Sequence, residues 1–261
     1  VDLNKLPELT SEEERKAILD ARKSKYAAIE LERTRKEYWE KLTKETPAPN
    51  FTAEQLRNKL AASITVDQKR FVIDSDNKAI VNALCLYFSN DPRLLEYGLS
   101  HDKGLLIMGG KGVGKTHLMS FFFKNRKASY VMAPCVEIEN KWRKSEPDKG
   151  DPDFVEYYSN LIPCAINSDP FGHQQIGVCF DDLGTETIPA VRYGEKKNIL
   201  QEIVQTRYSN KNFIHFALTH ATTNLNEDGI SEKYGDRVLD RLHEMCNILV
   251  FPNNAKSRRR E

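Results

Sequence analysis

The chain has 261 residues, 39% of them hydrophobic, which is enough for one sizeable core with an appendage and too little for two large domains. Its 39 Lys and Arg stand against 38 Asp and Glu, so overall charge neither demands nor excludes a nucleic-acid partner. No apolar run approaches the roughly 18 residues of a membrane span, and the opening "VDLNKLPELTSEEERK" has no apolar signal segment, so a soluble, cytoplasmic protein without a membrane partner is expected. The five cysteines (Cys85, Cys135, Cys164, Cys179, Cys246) are scattered and never spaced as C-x-x-C, which argues against a zinc site and a disulfide framework.

Residues 11–45 are dense in charge of both signs, lack Gly, and predict a helix opened at Thr10 or Ser11, with Glu13 and Glu14 placed for a capping box. Its apolar positions, among them Ile18, Ile29, Leu31, Tyr38, Trp39 and Leu42, follow a helical stripe only loosely. Such a helix either lies solvated on the main body or docks on a partner. The stretch "TPAPN", 46–50, carries two prolines and nothing apolar, and marks a linker. The expected organisation is therefore a helical segment over 1–50 and a main domain over 51–261. Asp74 and Asp76 precede "NKAIVNALCLYF", a compact helix with an apolar face.

Beyond it, apolar runs at 104–108, 129–132, 176–180, 213–218 and 247–251 alternate with helical segments. Strands buried on both faces give continuous apolar runs, and their alternation with helices predicts an α/β fold with a five-stranded parallel sheet between helices.

The first run leads into "GGKGVGKTH", residues 109–117, where Gly109, Gly114, Lys115 and Thr116 have the spacing of a P-loop between a strand and a helix. The glycines permit a tight loop whose backbone N–H groups face a phosphate, and the helix N-terminus adds favourable potential for an anion. The whole stretch (Gly109, Gly110, Lys111, Gly112, Val113, Gly114, Lys115, Thr116, His117) is the candidate ATP cradle. Lys115 is placed for the β and γ phosphates, and the Thr116 hydroxyl for Mg2+. Downstream, "IGVCFDDLG" ends a strand in two acids: Asp181 to engage the metal shell and Asp182 to polarise an attacking water.

The ordered set "GGKGVGKTHL", "FDDLGTE", "TTNL" and "YGDRVLDRL" resembles the AAA+ helicase-loader family typified by DnaC, with its transposition-helper relatives typified by IstB, over roughly residues 70–260. The resemblance implies Asp181 as metal acid, Asp182 as catalytic base, and Asn224 as the sensor that orients water, with Thr219 and Thr222 as alternatives. Glu186 completes the "DDLGTE" signature without an assigned task. The same resemblance implies Arg241 as an arginine finger supplied to a neighbouring subunit, one helical turn after Arg237; arginines so spaced among acids also form solvated salt-bridged faces. In "NAKSRRRE" it implies a second sensor at Arg258 or, as favoured, Arg259, although a basic tail explains the same residues. Family members carry an extra helical element in the region 145–172. Here "DFVEYYSNL" is the candidate, with Phe154, Tyr157 and Tyr158 available to stack on bases, opposed by the local acidity.

The function implied is an ATP-dependent switch with Mg2+ that loads a replicative ring helicase on single-stranded DNA, gripping it through the N-terminal helix and working as a homo-oligomer or helicase-templated assembly. A transposition helper uses the same engine. A small-molecule kinase is a third possibility, against which stand the missing lid and acceptor site.

Overall fold

The structure is a computed structural model and describes residues 50–64, 70–146, 150–165 and 168–258, together with scattered positions between 12 and 33. The chain divides into two compact units, Val1–Pro49 and Asn50–Glu261. In the first unit the described positions are helical, and Arg33 pairs with Glu30 at 2.6 Å. The expected capping box, the linker prolines, and Leu31, Tyr38, Trp39 and Leu42 lie outside the described residues.

The second unit opens with α1 (Ala53–Ala61), whose start is set by Thr52: its hydroxyl accepts from Gln55 N while the Gln55 side chain accepts from Thr52 N. There follow α2 (Lys78–Phe88), β1 (Gly104–Met108), α3 (Lys115–Phe122), β2 (Tyr130–Pro134), α4 (Cys135–Lys144), α5 (Phe154–Ser159), β3 (Ile162–Pro163) and β4 (Gln175–Leu183). A hairpin β5–β6 (Ala190–Arg192, Glu195–Lys197) leads to α6 (Ile199–Ser209), β7 (Thr219–Thr223), α7 (Glu227–Tyr234), α8 (Asp236–Met245) and β8 (Cys246–Val250). The main sheet runs β2-β4-β7-β1-β8, all parallel, with the short β3 antiparallel on β4.

The period-two geometry of a strand sorts the core into two faces. Leu106 and Met108 of β1 join Trp142, Ile203, Val238 and Leu242 beneath α4 to α8. Leu105 and Ile107 join Leu60, Leu84, Leu118 and Phe122 beneath α1 to α3. The central strands β1, β4 and β7 are thus covered on both sides, and truncating a residue such as Ile107, which has no exposure, costs about 2–5 kcal/mol. The expected apolar-faced helix is α2, but it is buried nearly all round, from Ile80 to Phe88. Among the described residues, no helix is long and apolar enough to cross a membrane.

One expected strand is displaced. Residues 213–218 form a turn and a 3-10 helix (Phe216–Leu218) with Phe213 84% exposed, and the strand is the following "THATT". His215 starts the turn by accepting from Ala217 N at 3.3 Å. The polar strand tolerates burial because most of its side-chain polar atoms find partners: Thr219 accepts from Arg207, His220 Nδ1 accepts from Leu105 N, Thr222 donates to Asp181, and Thr223 donates to Leu183 O, while His220 Nε2 is buried without one. The aromatics available for base stacking are divided: Tyr158 lies in the core with Val155 and Phe154 packs against it, whereas Tyr157 is 41% exposed.

Candidate phosphate and metal site

The C-terminal ends of β1, β4 and β7 lie side by side, with β7 in the middle, and every motif read from the sequence around the phosphate loop converges there. The loop leaves β1 with Gly109 N donating to Thr223 O at 3.2 Å. It turns back through Gly112, where φ is 81° and a Cβ would sit 2.2 Å from Ser257 Oγ, so only glycine fits. Helix α3 then begins at Lys115, which puts its positive end at the loop.

Lys115 is buried, and its ammonium donates to Gly109 O and Gly110 O at 2.8 Å each and to Asn224 Oδ1 at 2.7 Å. Asn224 follows β7 directly and donates from Nδ2 to Asp182 Oδ1 at 3.3 Å. Thr116 Oγ1 donates to Asp181 Oδ1 at 3.0 Å, and Thr222 Oγ1 donates to the same oxygen at 2.6 Å. The register between β4 and β7 shifts between Phe180 and Leu183, so the two acids occupy a β-bulge. Asp182 has φ 55°, unusual for a residue with a side chain, and its N–H donates to Thr222 Oγ1 at 2.9 Å. Bulges of this kind re-aim side chains: here adjacent residues turn two carboxylates into one site.

Burial pushes the Asp181 carboxyl above its usual range. The Thr222 and Thr116 hydroxyls oppose that shift, the Asp182 charge adds to it, and Lys115 opposes it. A divalent cation would relieve this cost. The donors beside it, a hydroxyl and a carboxylate, are the hard oxygens that Mg2+ takes, usually in company with phosphate oxygens. Among the described residues no group of three or more His, Cys, Asp or Glu could hold a metal ion.

The remaining expected residues separate. Gly110 and Lys111 are exposed at the loop, and Val113 is buried in the core beneath it. His117 stacks on Phe71, with centroids 5.0 Å apart, and its Nε2 lies 3.4 Å from Ser63 Oγ; burial lowers its basicity. Thr219 sits at the opposite end of β7, bonded to Arg207, whereas Thr222 lies in the site. Arg241 lies with its guanidinium carbon 5.0 Å over the Tyr208 ring, Nη1 buried without a hydrogen-bond partner; Arg237 is exposed. Arg259 lies outside the described residues. Arg258 clasps the back of the loop, its N–H donating to Gly112 O at 2.9 Å and its Nε to Val113 O at 3.1 Å. It also pairs with Asp74 at 2.8 Å. Burial opposes ionisation of Asp74, but Arg258 and two backbone N–H groups hold its pKa below the usual value. This clasp escaped the sequence reading, since its partners are 184 residues apart.

The strand order, the loop and the paired acids define an α/β fold, a mostly parallel sheet between helices with a glycine-rich phosphate-type loop at the strand ends. Among solved structures the chain is similar to the DnaC helicase loader at 18% identity and TM-score 0.47, over 70% of this chain and 93% of that one. It is also similar to AMPPCP-bound DnaA from Aquifex aeolicus (16% identity, TM-score 0.45, 81% of this chain). Domain III of the Thermotoga maritima replication initiation protein DnaA is a further likeness (18% identity, TM-score 0.44, 79% of this chain and 69% of that one). The chain spans about half, 53%, of the Aquifex chain. No family model matches the chain and no curated protein is similar to it.

Proposed function

We propose that this protein is a Mg2+-dependent ATPase switch that acts on a replicative ring helicase and single-stranded DNA. The observation that carries the ATPase part is the single hydrogen-bonded network joining Lys115, Asn224 and Asp182 to Thr116, Asp181 and Thr222. In this reading Lys115 releases its loop carbonyls to bind the β and γ phosphates. Thr116 and Asp181 would hold Mg2+, which would supply charge neutralisation. Asp182 accepts a proton from the attacking water, and Asn224, already bonded to both Lys115 and Asp182, keeps that water in line.

The helicase part rests on the ordered sequence motifs and the separate N-terminal unit. Its first test is deletion of residues 1–45: ATP binding survives and binding to the host's replicative helicase is lost, whereas unchanged helicase affinity contradicts the docking role. Hydrolysis is completed by Arg241 of an adjoining copy, which must leave Tyr208 to reach a neighbour's γ-phosphate. Arg241→Ala then lowers hydrolysis in assemblies by on the order of a thousandfold. Mixing with Lys115→Ala subunits restores part of it, and no restoration in such mixtures argues against a finger acting between subunits.

A further inference from the structure

The phosphate chemistry leaves Glu186 without a task, yet this carboxylate is only 4% exposed. A buried carboxylate is costly unless its oxygens are bonded, and both are. Oε2 accepts from Gly184 N at 3.0 Å, and Oε1 accepts from the hydroxyl of Tyr234, the buried last residue of α7. The neighbouring Lys233 reaches the same turn, its ammonium donating to Gly184 O and, at 2.9 Å, to Glu186 O. Gly184 has φ 102°, and a Cβ there would lie 2.6 Å from Leu225, the residue after Asn224. The turn that follows the two acids is therefore fastened to the end of α7 and packed on the chain that bears Asn224. Gly235, with φ 86°, then joins α7 to α8, the helix of Arg237 and Arg241.

We propose that Glu186 is a positioning residue that couples the Asp181–Asp182 bulge to the α7–α8 junction, so that the state of the metal and water site and the placement of Arg241 are linked. This rests on the ATPase reading above. A change at the bulge is carried by the turn to Tyr234 and Lys233, and from them to the glycine on which α8 pivots.

The test uses the full chain with Glu186→Ala and Tyr234→Phe, the second retaining the ring in its packing. Turnover falls about tenfold in Glu186→Ala and about threefold in Tyr234→Phe, with affinity for Mg2+-ATP kept within about twofold. The double variant is no slower than Glu186→Ala, as for two residues acting through one bond. A residue that only stabilises the fold would lower Tm and leave turnover per folded molecule unchanged, which overturns the proposal.

Amide exchange on the nucleotide-free protein gives a readout independent of hydrolysis. Either variant speeds exchange of residues 184–187 and 231–237 together while residues 109–116 keep their protection. Acceleration confined to the turn overturns the coupling. Should the wild-type chain neither bind nor hydrolyse ATP, the ATPase reading fails, and the exchange result alone decides whether the coupling exists.

Discussion

Two buried cations sit toward opposite ends of the sheet, and they differ in what surrounds them. Arg207 has no exposure, and its guanidinium is held by Thr219 Oγ1, Leu218 O, Tyr158 O and Asn160 O, joining α6 to the end of α5 and the start of β7. Burial lowers its pKa to about 10, which still leaves it charged at neutral pH. Lys115 is held by two carbonyls of its own loop and by Asn224, beside two acids. Arginine's fixed fork, spread over separate elements, suits permanent cross-linking, whereas a lysine ammonium on a flexible stem can exchange its oxygens for those of a phosphate. The same burial thus serves architecture at one end and chemistry at the other.

The sharpest way to break this comparison is to remove each cation. Arg207→Ala leaves three carbonyls and a hydroxyl without their donor and is expected to cost about 3 kcal/mol or more, a Tm loss of roughly 6–12 °C in a domain of this size. Nucleotide affinity of the folded fraction is kept. Lys115→Ala has the reverse signature: ATP affinity falls about a hundredfold while Tm moves by no more than a few degrees. Thermal melts and nucleotide titrations on both variants check this, and a shared loss of fold would erase the distinction.

Asp182→Asn sharpens the division of labour within the site. Turnover drops at least about tenfold while ATP remains bound, because Asp181 and Thr116 are untouched. Normal turnover in this variant removes Asp182 from its role. The smallest effect is expected from Asp181→Asn in the nucleotide-free protein, where Oδ1 still accepts from Thr116 and Thr222. Asp181's carboxyl titrates above its unfolded value of 3.8, so the fold favours the protonated form. That contribution is complete below the unfolded pKa and is lost as pH rises through the folded one. The amide therefore raises Tm by a few degrees at neutral pH, with the gain vanishing toward pH 3.8, and weakens the Mg2+ dependence of ATP binding. A lower Tm at neutral pH would count against a carboxylate held at a cost for its function.

Legibility in the sequence followed the physical scale of each feature. The phosphate loop and the acids ending β4 are local patterns whose chemistry is set within ten residues, and the structure gathers them with Asn224 into one network. The strand bearing Asn224 was misplaced because "FIHFAL" is more apolar than "THATT". Hydropathy misses a buried strand whose polar side chains bond to β1, β4 and α6, His220 Nε2 excepted. Asn224 consequently follows its strand directly. Arg207, Tyr234 and the Asp74–Arg258 pair escaped for a related reason: each acts through residues far along the chain, and no spacing rule reports them. The N-terminal segment remains as the sequence reading left it, a charged helix suited either to solvent or to a partner.

The central claim is that Lys115, Thr116 and Asp181 form the seat of Mg2+-ATP. Calorimetric titration of ATP into the purified wild-type and Lys115→Ala chains, with and without Mg2+, tests it most directly. The account predicts saturable binding by the wild type, strengthened by Mg2+ and weakened about a hundredfold in the variant. Absence of binding by the wild type, or equal affinity in both proteins, would contradict it.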